Sequence, residues 1–137
     1  MRNKFMVLTV IALFLITCIT AYAEDHEIAP YASDMINSCS VQLNGNGSVL
    51  TATVKITAKA VYDQVGFSTL KFQKYSGGSW VTVKTISSVY KYETSTYRGL
   101  HTCTGTTGEK YRAVCTFYVR NGSSSDSYTH TSSTFTL

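Results

Sequence analysis

Several things are scarce in this sequence, and each shortage removes a class of protein. Charged residues are only 15% of the 137, with 12 Lys or Arg against 8 Asp or Glu. No run of basic residues occurs, so the chain lacks the electrostatic footprint of a nucleic-acid or anionic-membrane binder. No ten-residue window repeats its apolar residues at the helical period, which argues against a helix bundle or an α/β fold. The three histidines, His26, His101 and His130, are too far apart for the short ligand spacing of a metal site. Asp25 and Glu27 flank His26, but the three read as a solvated leader, and His101 and His130 read as structural residues on strands. Asp63, Glu93, Glu109 and Asp126 fall singly in turns or at strand ends, so no carboxylate pair suggests acid–base chemistry. No Gly-x-Ser-x-Gly elbow and no His placed to activate a thiol is present. These shortages lead us to expect no enzyme, no cofactor and no metal.

The N-terminus has its own character. Arg2 and Lys4 precede an apolar run over residues 5–19, and Ala21-Tyr22-Ala23 is a small-x-small cleavage site. The run is short for a spanning helix, which needs about 20 residues, so residues 1–23 read as a secretory signal peptide cleaved after Ala23. The alternative is a lipoprotein box at Leu15-Ile16-Thr17-Cys18, with Cys18 lipidated. Loss of Arg2 and Lys4 with the signal leaves ten basic against eight acidic residues, a net charge of +2, and no expectation that the mature chain inserts in a membrane. Residues 24–35 form a polar leader that holds the single proline, Pro30.

From residue 36 onward the chain is rich in strand and turn signals. Ser and Thr supply 33 of the 114 residues after Ala23, and Tyr is abundant, a composition that favours strands joined by tight turns. In YRAVCTFYVR, residues 111–120, Tyr111, Ala113, Cys115, Phe117 and Val119 alternate with Arg112, Val114, Thr116, Tyr118 and Arg120. That period of two predicts a half-buried central strand. Residues 48–58 alternate as cleanly, with Leu50, Ala52, Val54, Ile56 and Ala58 on the core side. Further strands are expected over 36–43, 67–75, 80–86, 95–104 and 127–136, with 59–66 a crossover and 87–94 a loop or irregular edge strand. Asn44-Gly45-Asn46-Gly47, Ser76-Gly77-Gly78-Ser79 and the segment after Asn121 are the hairpin turns. The sequons Asn46-Gly47-Ser48 and Asn121-Gly122-Ser123 fall within two of them and read as turn chemistry. Seven or eight strands with a turn about every ten residues predict an all-β, antiparallel, Ig-like sandwich over residues 36–137.

Two motifs carry a resemblance. Gly108-Glu109-Lys110-Tyr111-Arg112-Ala113 resembles the tyrosine corner of Ig-like domains, in which a Tyr near the start of a strand bonds back across the preceding turn. Together with residues 71–80, which end in Gly-Gly-Ser-Trp, it is similar to small secreted proteins of Gram-positive bacteria that carry one Ig-like domain of unknown function. The resemblance covers roughly residues 37–134. It implies a fold and an extracellular location, and no activity.

Three cysteines remain after the signal, Cys39, Cys103 and Cys115. A secreted context makes a disulfide the expectation, Cys103–Cys115 first and Cys39–Cys115 second, with three buried thiols as the other possibility. For binding, the aromatics stand out. Tyr90, Tyr92 and Tyr97 cluster near the irregular segment, Trp80 sits at a hairpin mouth, and Tyr118 is on the outward side of the central strand. Exposed Tyr and Trp suit sugar stacking and protein recognition, although Tyr is also an ordinary strand former. The expected role is a secreted, non-enzymatic module that binds a protein or a surface glycan. The alternatives are a small secreted effector or toxin-like protein, or a carbohydrate-binding module.

Overall fold

The computed structural model describes Ile28 and residues 33–137. The expected signal peptide, its cleavage site, Cys18, His26 with its acidic neighbours, and Pro30 lie outside the described residues. Those described form six antiparallel strands: β1 (Ile36–Asn46), β2 (Val49–Ser76), β3 (Ser79–Thr104), β4 (Lys110–Asn121), β5 (Ser124–Thr131) and β6 (Phe135–Thr136). They make one continuous sheet curled into a half-barrel, a sandwich-like arrangement in which a single sheet faces itself.

The 28-residue β2 organises the sheet. Its first half pairs with β1 along one edge, through Val41↔Val54 and Leu43↔Ala52. Its second half pairs with β4 along that same side, through Phe67↔Phe117 and Leu70↔Cys115. The other edge pairs throughout with β3. β5 lies on the far side of β4, and β6 pairs with the start of β4 through Tyr111↔Phe135.

Six strands replace the expected seven or eight because two predicted interruptions are bridged. Residues 59–66 do not cross over. They continue β2 through an irregularity in which β2 runs from Thr57 to Tyr62 while β3 runs only from Thr96 to Thr94. The surplus of residues on one strand bends the ribbon, as bulges do. Residues 87–94 likewise continue β3, and the positive φ of Ser88 (57°) and Glu93 (50°) lets that strand follow the bend. In the other direction, the single strand expected over 127–136 divides into β5 and β6. Between them Ser132 Oγ accepts from Ala113 N at 2.9 Å while Ser132 N donates to Ala113 O at 2.8 Å.

Two of the three hairpins form where the sequence places them, and at the first β1 runs on through Asn44, Gly45 and Asn46 to turn at Gly47-Ser48. Gly47, Gly77, Gly78 and Gly122 have positive φ, the conformation the Gly-containing turns require. Alternation then sends Leu50, Val54 and Ile56 of β2 and Ala113, Cys115, Phe117 and Val119 of β4 into one core, each almost fully buried. Phe67 and Phe72 join them from the second half of β2. Tyr111 behaves as a corner residue. It is 2% exposed, and its hydroxyl accepts from Thr106 N at 2.9 Å across the turn before β4.

No disulfide links Cys39, Cys103 and Cys115. This corrects the expected Cys103–Cys115 bridge and its Cys39 alternative. The register gives the reason for the favoured pair: Cys103 lies opposite Leu50 at the start of β2, whereas Cys115 lies opposite Leu70 near its far end. Each of the three thiols is buried in the apolar core. Burial raises the Cys115 pKa, with Cys39 adding to the effect, so its thiol stays protonated.

Candidate functional site

Two surfaces hold the side chains capable of chemistry or recognition: the outer face of the β3–β2–β4–β5 region and the inner face of the end of β3. On the outer face the two-residue turn at Gly77-Gly78 sets Tyr75 opposite Trp80. Their rings meet at 5.2 Å with a 60° tilt. One step inward along the hairpin, Gln73 lies opposite Thr82 on one side and Arg112 on the other. Arg112 Nε donates to Gln73 Oε1 at 2.8 Å, and Gln73 Nε2 donates to Thr82 Oγ1 at 3.3 Å. The Arg112 guanidinium carbon stands 4.4 Å above the Trp80 ring centroid, a cation–π contact worth about 0.5–1 kcal/mol at a wet site. Lys74, the next residue along β2, pairs with Glu109 at 3.1 Å.

A second aromatic pair lies further along the same face. Gly66 sits opposite both Tyr90 and Tyr118, and the two rings meet across it at 5.5 Å. A side chain at Gly66 has no room: its Cβ would lie 2.1 Å from Val89 O and 2.9 Å from Tyr90 Cα. Tyr92 is opposite Gln64 and is 66% exposed, the most exposed aromatic of the strand. Of the five expected surface aromatics, Trp80, Tyr90, Tyr92 and Tyr118 therefore share the outer face, in two groups.

Tyr97 does not join them. It is only 6% exposed and points inward. Alternation from Tyr90 and Tyr92 does not carry this signal, because the irregular backbone at Glu93 resets it; pairing opposite the buried Ile56 turns Tyr97 inward. Tyr97 Oη lies 2.9 Å from His101 Nε2, and the contact passes over Gly99, where a Cβ would fall 2.2 Å from that hydroxyl. Phe67 presents edge contacts to both rings, at 5.7 Å for Tyr97 and 5.1 Å for His101. Lys84 Nζ donates to Thr102 O at 2.6 Å, joining the early and late parts of β3.

The chemistry of this inner group is muted. Burial, with Lys84 assisting, lowers the His101 pKa and keeps the ring neutral near pH 7. Burial raises the Tyr97 pKa, with Cys115 adding to it. It raises that of Cys103 as well, against a smaller opposing pull from Lys84. A protonated thiol beside a neutral imidazole is a poor nucleophile. Among the described residues no group of three or more His, Cys, Asp or Glu is placed to hold a metal ion.

The remaining polar cluster holds the start of β1. Asp126 accepts from Ser33 Oγ and, at 3.3 Å, from Met35 N. Burial pushes the Asp126 pKa up, but hydrogen bonds from Ser33, Met35, Ser127 and Asp34 prevail and lower it. A half-open depression of about 320 Å³ adjoins it, lined by Asp34, Met35, Ser124, Ser125 and Asp126. The carboxylate is thus committed to anchoring the chain.

Sequence reasoning missed Tyr75, Gln73 and Arg112 as companions of Trp80. The Gly-Gly turn pairs Tyr75 with Trp80 and was readable. The approach of Arg112 depends on the β2–β4 register, which no local signal sets. The class these observations define is an all-β, sandwich-like half-barrel with an aromatic outer face. No protein-family model, no curated protein and no solved structure matches the chain.

Proposed function

We propose that the chain is a secreted, non-enzymatic module of the Ig-like type that binds a protein or a cell-surface component through the outer face of β3, β2, β4 and β5. One observation carries the reading: that face groups four aromatics, Tyr75, Trp80, Tyr90 and Tyr118, in two ring pairs at 5.2 and 5.5 Å on rigid strands. Aromatic rings fixed on strands present contact area at small cost in conformational entropy, which is what recognition surfaces need. The inner group of Tyr97, His101 and Cys103 supports the non-enzymatic part, because its thiol and phenol are held protonated by burial. The Tyr111–Thr106 corner bond supports the Ig-like part. Secretion rests on the signal-peptide pattern of residues 1–23.

The test is an array of surface polysaccharides and extracellular proteins probed with the purified protein. Saturable, micromolar-or-tighter binding to a member of the array is the expected result. Absence of binding across both classes would overturn the reading.

A further inference from the structure

On the outer face, Arg112 is held from two sides and left unused on the third. Its Nε is taken by Gln73 Oε1 at 2.8 Å and its plane lies 4.4 Å from the Trp80 centroid. Among the described residues no carboxylate pairs with it. The acidic group nearest to it in sequence, Glu109, is paired with Lys74 at 3.1 Å. The two terminal nitrogens are therefore a fixed, positively charged fork, the geometry that receives a carboxylate through two parallel hydrogen bonds. Strands that already fix the guanidinium remove most of the ordering cost that a free Arg side chain brings to binding.

The surroundings sharpen the ligand. Outward-alternating side chains of this region include Lys71, Arg112 and Arg120 and no Asp or Glu, so the face complements a negative partner. Tyr75, 42% exposed, offers a ring against the Trp80 that carries the fork, Gln73 and Thr82 adjoin it, and Thr85 and Thr116 lie further along the face. A sugar ring stacks on an aromatic face and meets such groups with its hydroxyls. A protein partner would call for a desolvated apolar centre, and between the two ring pairs the outward positions of β2 and β4 supply only the half-buried Val114.

We propose, resting on the binding-module reading above, that this face takes an acidic polysaccharide of uronic-acid type. The Arg112 fork holds the carboxylate, Tyr75 stacks the sugar ring, and Lys71 adds long-range attraction.

Calorimetric titration of the full protein with polygalacturonate, dextran and poly-glutamate tests this. Saturable binding to polygalacturonate is expected, weakening with added salt, with dextran and poly-glutamate at least about tenfold weaker. Arg112→Lys keeps the charge but loses the fork, so its affinity should fall about tenfold with an unchanged unfolding midpoint. Tyr75→Ala and Lys71→Gln alter exposed side chains, and each should weaken binding about two- to fivefold, keeping the test open even where Arg112→Lys perturbs folding. Poly-glutamate binding as tightly as polygalacturonate would overturn the proposal in favour of an acidic protein. Equal binding of dextran would overturn the role of charge. Absence of binding to all three, with a positive array result elsewhere, would overturn this ligand class while leaving the module reading intact. Full affinity in Arg112→Lys would overturn the fork.

Discussion

Gly66→Ala should damage the protein more than its size suggests, because the obstacle is backbone. The new methyl would lie 2.1 Å from Val89 O and 2.9 Å from Tyr90 Cα, neither of which is a movable side-chain end. An ordinary contact at those atoms needs more than 3 Å, so β3 must retreat from β2 by about an ångström around Val89 and Tyr90. That retreat weakens roughly two ladder hydrogen bonds at about 1 kcal/mol each and adds overpacking strain of about 1–3 kcal/mol. The expected loss is therefore about 3–5 kcal/mol, a large part of the 5–15 kcal/mol typical of a domain. Urea unfolding followed by tyrosine and tryptophan fluorescence measures it. Amide exchange should accelerate at Tyr90 and Lys91, opposite Gly66 and Val65, before it does in β1. A loss below about 1 kcal/mol with unchanged exchange would refute the reasoning, since the strands would then have room that the geometry denies.

Other outcomes follow from the same contacts. Tyr111→Phe removes the acceptor of Thr106 N–H, and water replaces it at the exposed Thr106, so the loss in urea unfolding should be about 0.5–1.5 kcal/mol. A loss above about 3 kcal/mol would mean the hydroxyl supports more than this one bond. His101 and His130 have pKa values lowered by burial, so the unfolded chain binds protons first as pH falls. Their stability contribution should be complete above about pH 7.5 and fall as pH drops through 6.5 and below; His101→Gln with His130→Gln should flatten that slope. Asp126 acts in the same sense at lower pH: its lowered pKa contributes stability above about pH 4 that is lost on further acidification, and Asp126→Asn should remove this acid limb. The thiols of Cys39, Cys103 and Cys115 should resist a thiol reagent in the native protein and all react in denaturant, and fewer than three reacting would contradict the unbridged core.

Much of the fold was legible because it is local. Leu50 to Ala58 and Tyr111 to Val119 alternate strictly, and both face the core as alternation requires. The Asn-Gly and Gly-Gly turns fixed hairpin positions, and Tyr111 announced its own hydrogen bond by its place after Gly108-Glu109-Lys110. What stayed hidden depends on contacts distant in sequence. The bend in β2 between Thr57 and Tyr62 looks like a break in pattern, and only pairing with β3 reveals continuity. Trp80 and Arg112 are 32 positions apart, and they meet because β2 carries β3 on one edge and β4 on the other. Cys103 and Cys115 flank one turn in the sequence and were expected to meet across the core, whereas register places them opposite different ends of β2.

The most direct measurement compares outer and inner variants in one binding assay, using whichever ligand the array identifies. Trp80→Ala with Tyr118→Ala strips one ring from each outer pair, and His101→Gln changes the inner face while keeping a partner for Tyr97. With all variants folded by circular dichroism, the account predicts at least about a tenfold loss of affinity in the outer variant and full affinity in the inner one. Full binding by the outer variant, or loss confined to His101→Gln, would contradict the placement of function on the outer face.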